Sequence, residues 1–209
     1  MRLFLLFSVL ALGSSCSSPA TEQAAGSATI SPHSLATQTE PMDTARPAAI
    51  DARADTLLKA STTHLFSSPA TPDKFSLVLR GASLLTGEAT FTVTNASGQV
   101  IFREVLSSPD LEASMVYEMK GPTATQAERE AYVRRRVQEF FTSKNFQRPA
   151  VSKSASFPAA ADAPADTDQT AWQDLQKRPE AVSFQYLVGK EDRHTIAWSP
   201  LRKQVVRLP

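Results

Sequence analysis

Residues 88–106 read Glu-Ala-Thr-Phe-Thr-Val-Thr-Asn-Ala-Ser-Gly-Gln-Val-Ile-Phe-Arg-Glu-Val-Leu, and their alternation decides the fold class. From Glu88 to Thr94, Ala89, Phe91 and Val93 fall on one face, and Thr90, Thr92 and Thr94 on the other. That is the period of a strand with one buried side. Asn95-Ala96-Ser97-Gly98 is a turn by composition, because asparagine tolerates left-handed backbone and glycine adopts it freely. Gln99 to Leu106, rich in Val, Ile and Phe, returns as the antiparallel partner. Asn95-Ala96-Ser97 also matches a glycosylation acceptor, but the turn accounts for the same residues without any modification.

On the N-terminal side of this hairpin, Phe75-Ser76-Leu77-Val78-Leu79 alternates in the same way, and Gly81 and Gly87 bracket the turn that follows. On the C-terminal side, Gly121-Pro122 breaks the chain and one strong helix begins. Thr125 and Glu128 have capping-box spacing, and Val133, Val137, Phe140 and Phe141 form an apolar stripe at i, i+4, i+7 and i+8. Lys144 suits the negative end of a helix dipole, Asn145 suits a left-handed cap and Pro149 forbids continuation. Arg134-Arg135-Arg136 is flanked by Glu130 and Glu139 at helical spacing, which predicts a solvated, salt-bridged face. A short helix around Trp172 and Leu175 is followed by three alternating runs: Val182-Phe184-Tyr186-Val188, His194-Ile196-Trp198 and Gln204 to Leu208. The expected fold is α+β, an antiparallel sheet of about five to six strands with one main covering helix.

The first residues address the chain. Arg2, the apolar run Leu3 to Leu12, and Gly13-Ser14-Ser15 make a secretory signal too short to span a bilayer. Cys16 follows directly and is the only cysteine in 209 residues. Residues 1–16 resemble bacterial lipoprotein signal sequences, with leucine one place early, at Leu12, and Gly13 where it is expected. The resemblance implies a mature N-terminus at Cys16 carrying several acyl chains such as palmitate, which is what stable anchoring requires. Cleavage after Gly13, leaving a free thiol, is the other reading; an exposed unpaired thiol is unfavourable in an oxidising compartment. Ser17 is not the acidic residue associated with inner-membrane retention, so the resemblance points to the periplasmic face of the outer membrane.

The domain organisation follows: signal peptide at 1–15, a lipidated flexible tether at 16–63, and a single α+β domain at 64–209 with a disordered insertion at 151–168. Ser17 to Thr63 contains no Phe, Trp or Tyr and cannot offset its ordering entropy by burial. Within it, Ala48 to Lys59 reads either as a helix or as more tether. The stretch 151–168 is Ala-, Pro-, Ser- and Asp-rich with Phe157 as its one aromatic. Several pieces of residues 73–209 look like small uncharacterised lipoproteins of the Bacteroidota. They are Phe75 to Gly81 leading into Ser83-Leu84-Leu85-Thr86-Gly87, Phe140-Phe141 leading to Asn145-Phe146 and Pro149-Ala150, and Phe184-Gln185-Tyr186 leading to Gly189-Lys190-Glu191. These are structural signatures, and the resemblance implies no activity.

Chemistry-bearing motifs are sparse. His33, His64 and His194 have no ligand partner at metal-binding spacing, and Asp162, Asp166 and Asp168 lack the glycine and glutamate of a calcium loop. No nucleophile elbow, phosphate loop or metalloprotease helix is present. The mature chain has equal numbers of basic and acidic residues once Arg2 is removed, which gives no argument for nucleic acid. No catalytic, metal or cofactor residue is assigned, and no cofactor is expected. The expected role is a non-enzymatic envelope lipoprotein binding a protein or small ligand, with the membrane as a partner through its N-terminal anchor. An envelope hydrolase whose site assembles only in three dimensions is the alternative. Tyr186 and Trp198, large apolar bodies with polar tips on neighbouring strands, are the candidate ligand contacts, or else core.

Overall fold

The alternating runs on either side of the capped helix become two sheets. The computed structural model describes residues 48–158 and 168–209. The signal sequence, Cys16, His33, the tether up to Pro47 and residues 159–167 of the insertion lie outside the described residues. The first sheet is an antiparallel meander of β1 (Thr56–His64), β2 (Asp73–Arg80), β3 (Glu88–Thr94) and β4 (Val100–Ser107). The second is a meander of β5 (Phe146–Gln147), β6 (Ser183–Leu187), β7 (Arg193–Ser199) and β8 (Gln204–Leu208). Between the sheets in sequence lie α1 (Ser108–Glu112) and α2 (Gln126–Gln138), and α3 (Gln169–Gln176) precedes β6. The α+β class holds, but one sheet of five to six strands is replaced by two sheets of four. Each meander has an apolar face, and packing the two faces together buries both.

Two further expectations change. Residues 56–63, read as tether, form β1, and no helix spans Ala48 to Lys59. β1 is an edge strand whose Leu57, Leu58 and Ala60 are only half-buried, so it needs no aromatic anchor. Its stability comes from the ladder with β2, in which Thr62 opposes Phe75 and Ala60 opposes Leu77. Just upstream, the amides of Ala49 and Ile50 donate to Glu88 Oε2 at 2.7 and 2.9 Å, pinning the entering chain to β3. The second change is at α2. Its capping box is formed by Thr125 and Glu128, but the helix ends at Gln138. Asn145 adopts no left-handed conformation; its Nδ2 donates to the carbonyl of Phe140 at 2.8 Å and ties down the turn beyond the helix.

Register settles which side of each strand is buried. Opposed residues share a face, so Phe75, Phe91, Phe102, Leu77 and Leu79 point inward from the first sheet, and Thr90, Thr92 and Thr94 point out. The second sheet is covered on both sides. Phe184, Ile196, Tyr186 and Val205 face the first sheet, while Ala197 and Val206 face α3 through Trp172 and Leu175. Phe91 lies at the centre, with ring contacts to Phe75, Phe102, Phe140, Phe184 and Tyr186 at 5.1–6.2 Å. Val133 and Val137 of α2 and Phe140 beyond it complete this core, as their stripe predicts.

The arginine run divides. Arg134 is exposed, and Arg135 pairs not with Glu139 but with Glu118 from the preceding segment, its guanidinium 5.0 Å from the Tyr132 ring centre. Arg136 is half-buried rather than solvated: its Nε is out of reach of water and without a hydrogen bond, and burial pulls its pKa down.

Candidate functional site

The inner face of β7 carries His194 at one end and Trp198 at the other, about 13 Å apart at strand rise. Different chemistry gathers at each end.

At the His194 end the two sheets are joined by a buried acid. β4 alternates inward through Phe102, Glu104 and Leu106, so Glu104 enters the apolar interior opposite Phe91, and it is 8% exposed. Such a carboxylate must be paired. Tyr186 Oη donates to Glu104 Oε2. His194 Nδ1 lies 2.9 Å from Glu104 Oε1, near enough for an ion pair when protonated but without hydrogen-bond alignment. Arg207 Nη2 lies 3.5 Å from the same oxygen, and its Nη1 approaches His194 Nε2 at 3.5 Å. One residue each from β4, β6, β7 and β8 thus converges. These contacts join the cluster's members to one another, and no serine, threonine or cysteine belongs to it. Its chemistry is that of a clamp between sheets.

At the Trp198 end a groove opens. One lobe, of about 300 Å³, is lined by Leu65, Phe66, Pro69, Val182, Trp198 and Pro200. A second lobe, of about 410 Å³, shares Leu65 and Val182 and adds His64, Pro72 and Phe146. These volumes lie within the ordinary range of small-molecule sites. Leu65 is 41% exposed at the rim. His64 stacks on Phe146, and burial lowers the His64 pKa, so this aromatic pair is uncharged near neutral pH.

The polar groups around the groove are mostly committed. The backbone N–H and Oγ of Ser67 both donate to Asp73, at 2.5 and 2.7 Å. Ser68 Oγ accepts from the amides of Ala70 and Thr71. Arg178 is held bidentately by Asp174 at 2.8 and 3.2 Å, and Glu180 adds an acidic group beside it. Arg148 is different. It lines both lobes, is exposed, and its guanidinium makes no ion pair or hydrogen bond among the described residues.

The two residues singled out from sequence therefore separate. Trp198 lines the groove, whereas Tyr186 is 2% exposed, with its hydroxyl engaged by Glu104. Glu104 was missed, although its inward register between Phe102 and Leu106 is visible in the alternation. Leu65, Phe66 and Arg148 left no sequence signal, since the groove is built from four segments far apart in the chain. A further concavity of about 440 Å³ lies beside α1, lined by Met115, Val116 and Met119, and its Arg129 is already paired with Glu112. Among the described residues, no three His, Cys, Asp or Glu side chains are grouped to hold a metal ion. No family model, curated protein or solved structure matches this chain.

Proposed function

We propose that this chain is an envelope lipoprotein, anchored through acyl chains on Cys16 at the periplasmic face of the outer membrane, whose domain binds a small ligand in the Leu65–Trp198 groove. The observation that carries this reading is the groove itself: an apolar cavity with an aromatic wall, an exposed leucine at its rim and an arginine at its mouth that has no ion pair among the described residues. Small-molecule sites are concave and mostly apolar, with a few convergent polar groups. Among the described residues the Glu104–Tyr186–His194–Arg207 cluster is the grouping of titratable side chains that a hydrolase reading would use, and it fits that role less well, because its members face one another rather than the groove.

Two measurements test the proposal. Wild type should partition with membranes and incorporate a fatty-acid analogue, and Cys16→Ser should be soluble and unlabelled; equal labelling of the two removes the anchor. Native mass spectrometry of the chain purified from envelopes should show a bound small molecule that is lost in Trp198→Ala and Leu65→Asp with melting behaviour retained. An adduct indifferent to both substitutions removes the groove.

A further inference from the structure

We infer that the ligand of the groove is an aliphatic carboxylate, a hydrocarbon chain lying along the two lobes with its acid group on Arg148. The inference rests on the groove reading and adds the chemical class. Three observations lead to it. First, the lining supplies apolar surface from Leu65, Phe66, Val182, Trp198 and Phe146 but few free hydrogen-bonding groups, since Ser67, Ser68 and Arg178 are engaged within the protein. A ligand rich in amides or hydroxyls would leave those groups unpaired on binding, which is costly. A hydrocarbon chain has none to satisfy.

Second, Arg148 lines both lobes, and among the described residues its guanidinium makes no ion pair or hydrogen bond. Guanidinium presents a planar fork that matches a carboxylate with two parallel hydrogen bonds. A cation bordering an apolar surface selects an amphiphile of opposite charge. Third, Glu180 lines the first lobe beside Arg178, which Asp174 already holds, and is absent from the second lobe, so its negative charge repels an acid group from its own part of the groove and favours Arg148, which reaches both lobes. His64, kept neutral by burial, adds no charge of its own to the second lobe, so Arg148 is the charged side chain there.

The test uses the full-length chain carrying Cys16→Ser, so that no acyl group of its own competes and no detergent is needed. Dodecanoate, dodecanol and dodecyltrimethylammonium are titrated calorimetrically below their aggregation concentrations. Dodecanoate should bind about ten-fold more tightly than dodecanol, as expected for a charge-assisted bidentate contact, and the ammonium should bind most weakly. Arg148→Gln should bring the acid to the affinity of the alcohol and leave the alcohol unchanged. Leu65→Asp and Trp198→Ala should weaken acid and alcohol alike, with melting behaviour retained. An acid preference that survives Arg148→Gln, equal affinity for all three probes, or binding of none of them overturns the inference. The groove reading survives those outcomes if Leu65→Asp still strips the envelope-derived adduct. Probe binding indifferent to Leu65→Asp and Trp198→Ala overturns both.

Discussion

His64 lies flat on Phe146, ring centroids 4.0 Å apart and planes 11° from parallel, and this stack closes one margin between the two sheets. His64 ends β1, the edge of the first sheet, and Phe146 begins β5, the edge of the second. At the other margin β4 adjoins β8, and there the join is ionic, Glu104 to Arg207. One seam is aromatic and borders the groove; the other is charged and buried.

The aromatic seam should respond to pH. Burial lowers the His64 pKa below its usual 6.5. Above that value His64 is neutral in folded and unfolded chains, and it adds no pH dependence. As pH falls through 6.5 the unfolded chain takes up the proton first, so stability drops until the folded group also protonates. His64→Phe keeps a stacking ring and should flatten this part of the melting profile between pH 7 and pH 5. Identical slopes for both proteins would show that His64 does not titrate differently on folding.

The ionic seam should be intolerant of losing its acid. Glu104→Ala takes a buried anionic acceptor away from the Tyr186 hydroxyl and the Arg207 guanidinium. We expect a loss of about 3–5 kcal/mol in denaturant melts, the cost of breaking a buried pair. Tyr186→Phe removes one donor and should cost about 1–2 kcal/mol. A Glu104→Ala protein as stable as wild type would mean that water reaches the cluster.

The domain boundary is set by β1. A chain beginning at Ala48 should melt like the full sequence. One beginning at Leu65 lacks the strand that covers the edge of β2 and should be markedly less stable or aggregate, since an unpaired edge invites pairing with another chain. Glu88→Ala removes the carboxylate that holds the amides of Ala49 and Ile50, and should cost about 1–2 kcal/mol. Full stability of the chain from Leu65 would restore a tether running to residue 63.

Packing beyond α2 gives the sharpest contrast. Phe140 is 2% exposed among Phe91, Phe184 and Tyr186, so Phe140→Ala should cost about 3–5 kcal/mol. Phe141 is only half-buried and should cost less. Arg135, exposed and paired with an exposed Glu118, should change stability by less than about 1 kcal/mol on replacement by alanine. A costly Arg135→Ala would assign the arginine run a structural role.

Local pattern carried the hairpin, the capping box and the apolar alternation of six strands, because each depends on residues a few positions apart. Phe91, Phe140 and Phe184 were legible as core from periodicity. β1 was not, because an edge strand with half-buried Leu57, Leu58 and Ala60 is held by its ladder with β2 and carries little burial signal of its own. The division into two sheets was not legible either, since alternation names the buried face of a strand without naming the sheet that covers it. For the candidate site, sequence offered Trp198 and Tyr186 on equal terms, and only packing sent one to the groove and the other to Glu104. Arg148 became a candidate only when residues 64–69, 146–148, 178–182 and 198–200 met. The sequence by itself determined the apolar faces of β2–β4 and β6–β8 and where helix α2 begins. Tertiary structure alone decided which of the distant polar groups find partners, because pairing depends on proximity in space, and that left Arg148 beside an apolar groove with no ion pair among the described residues.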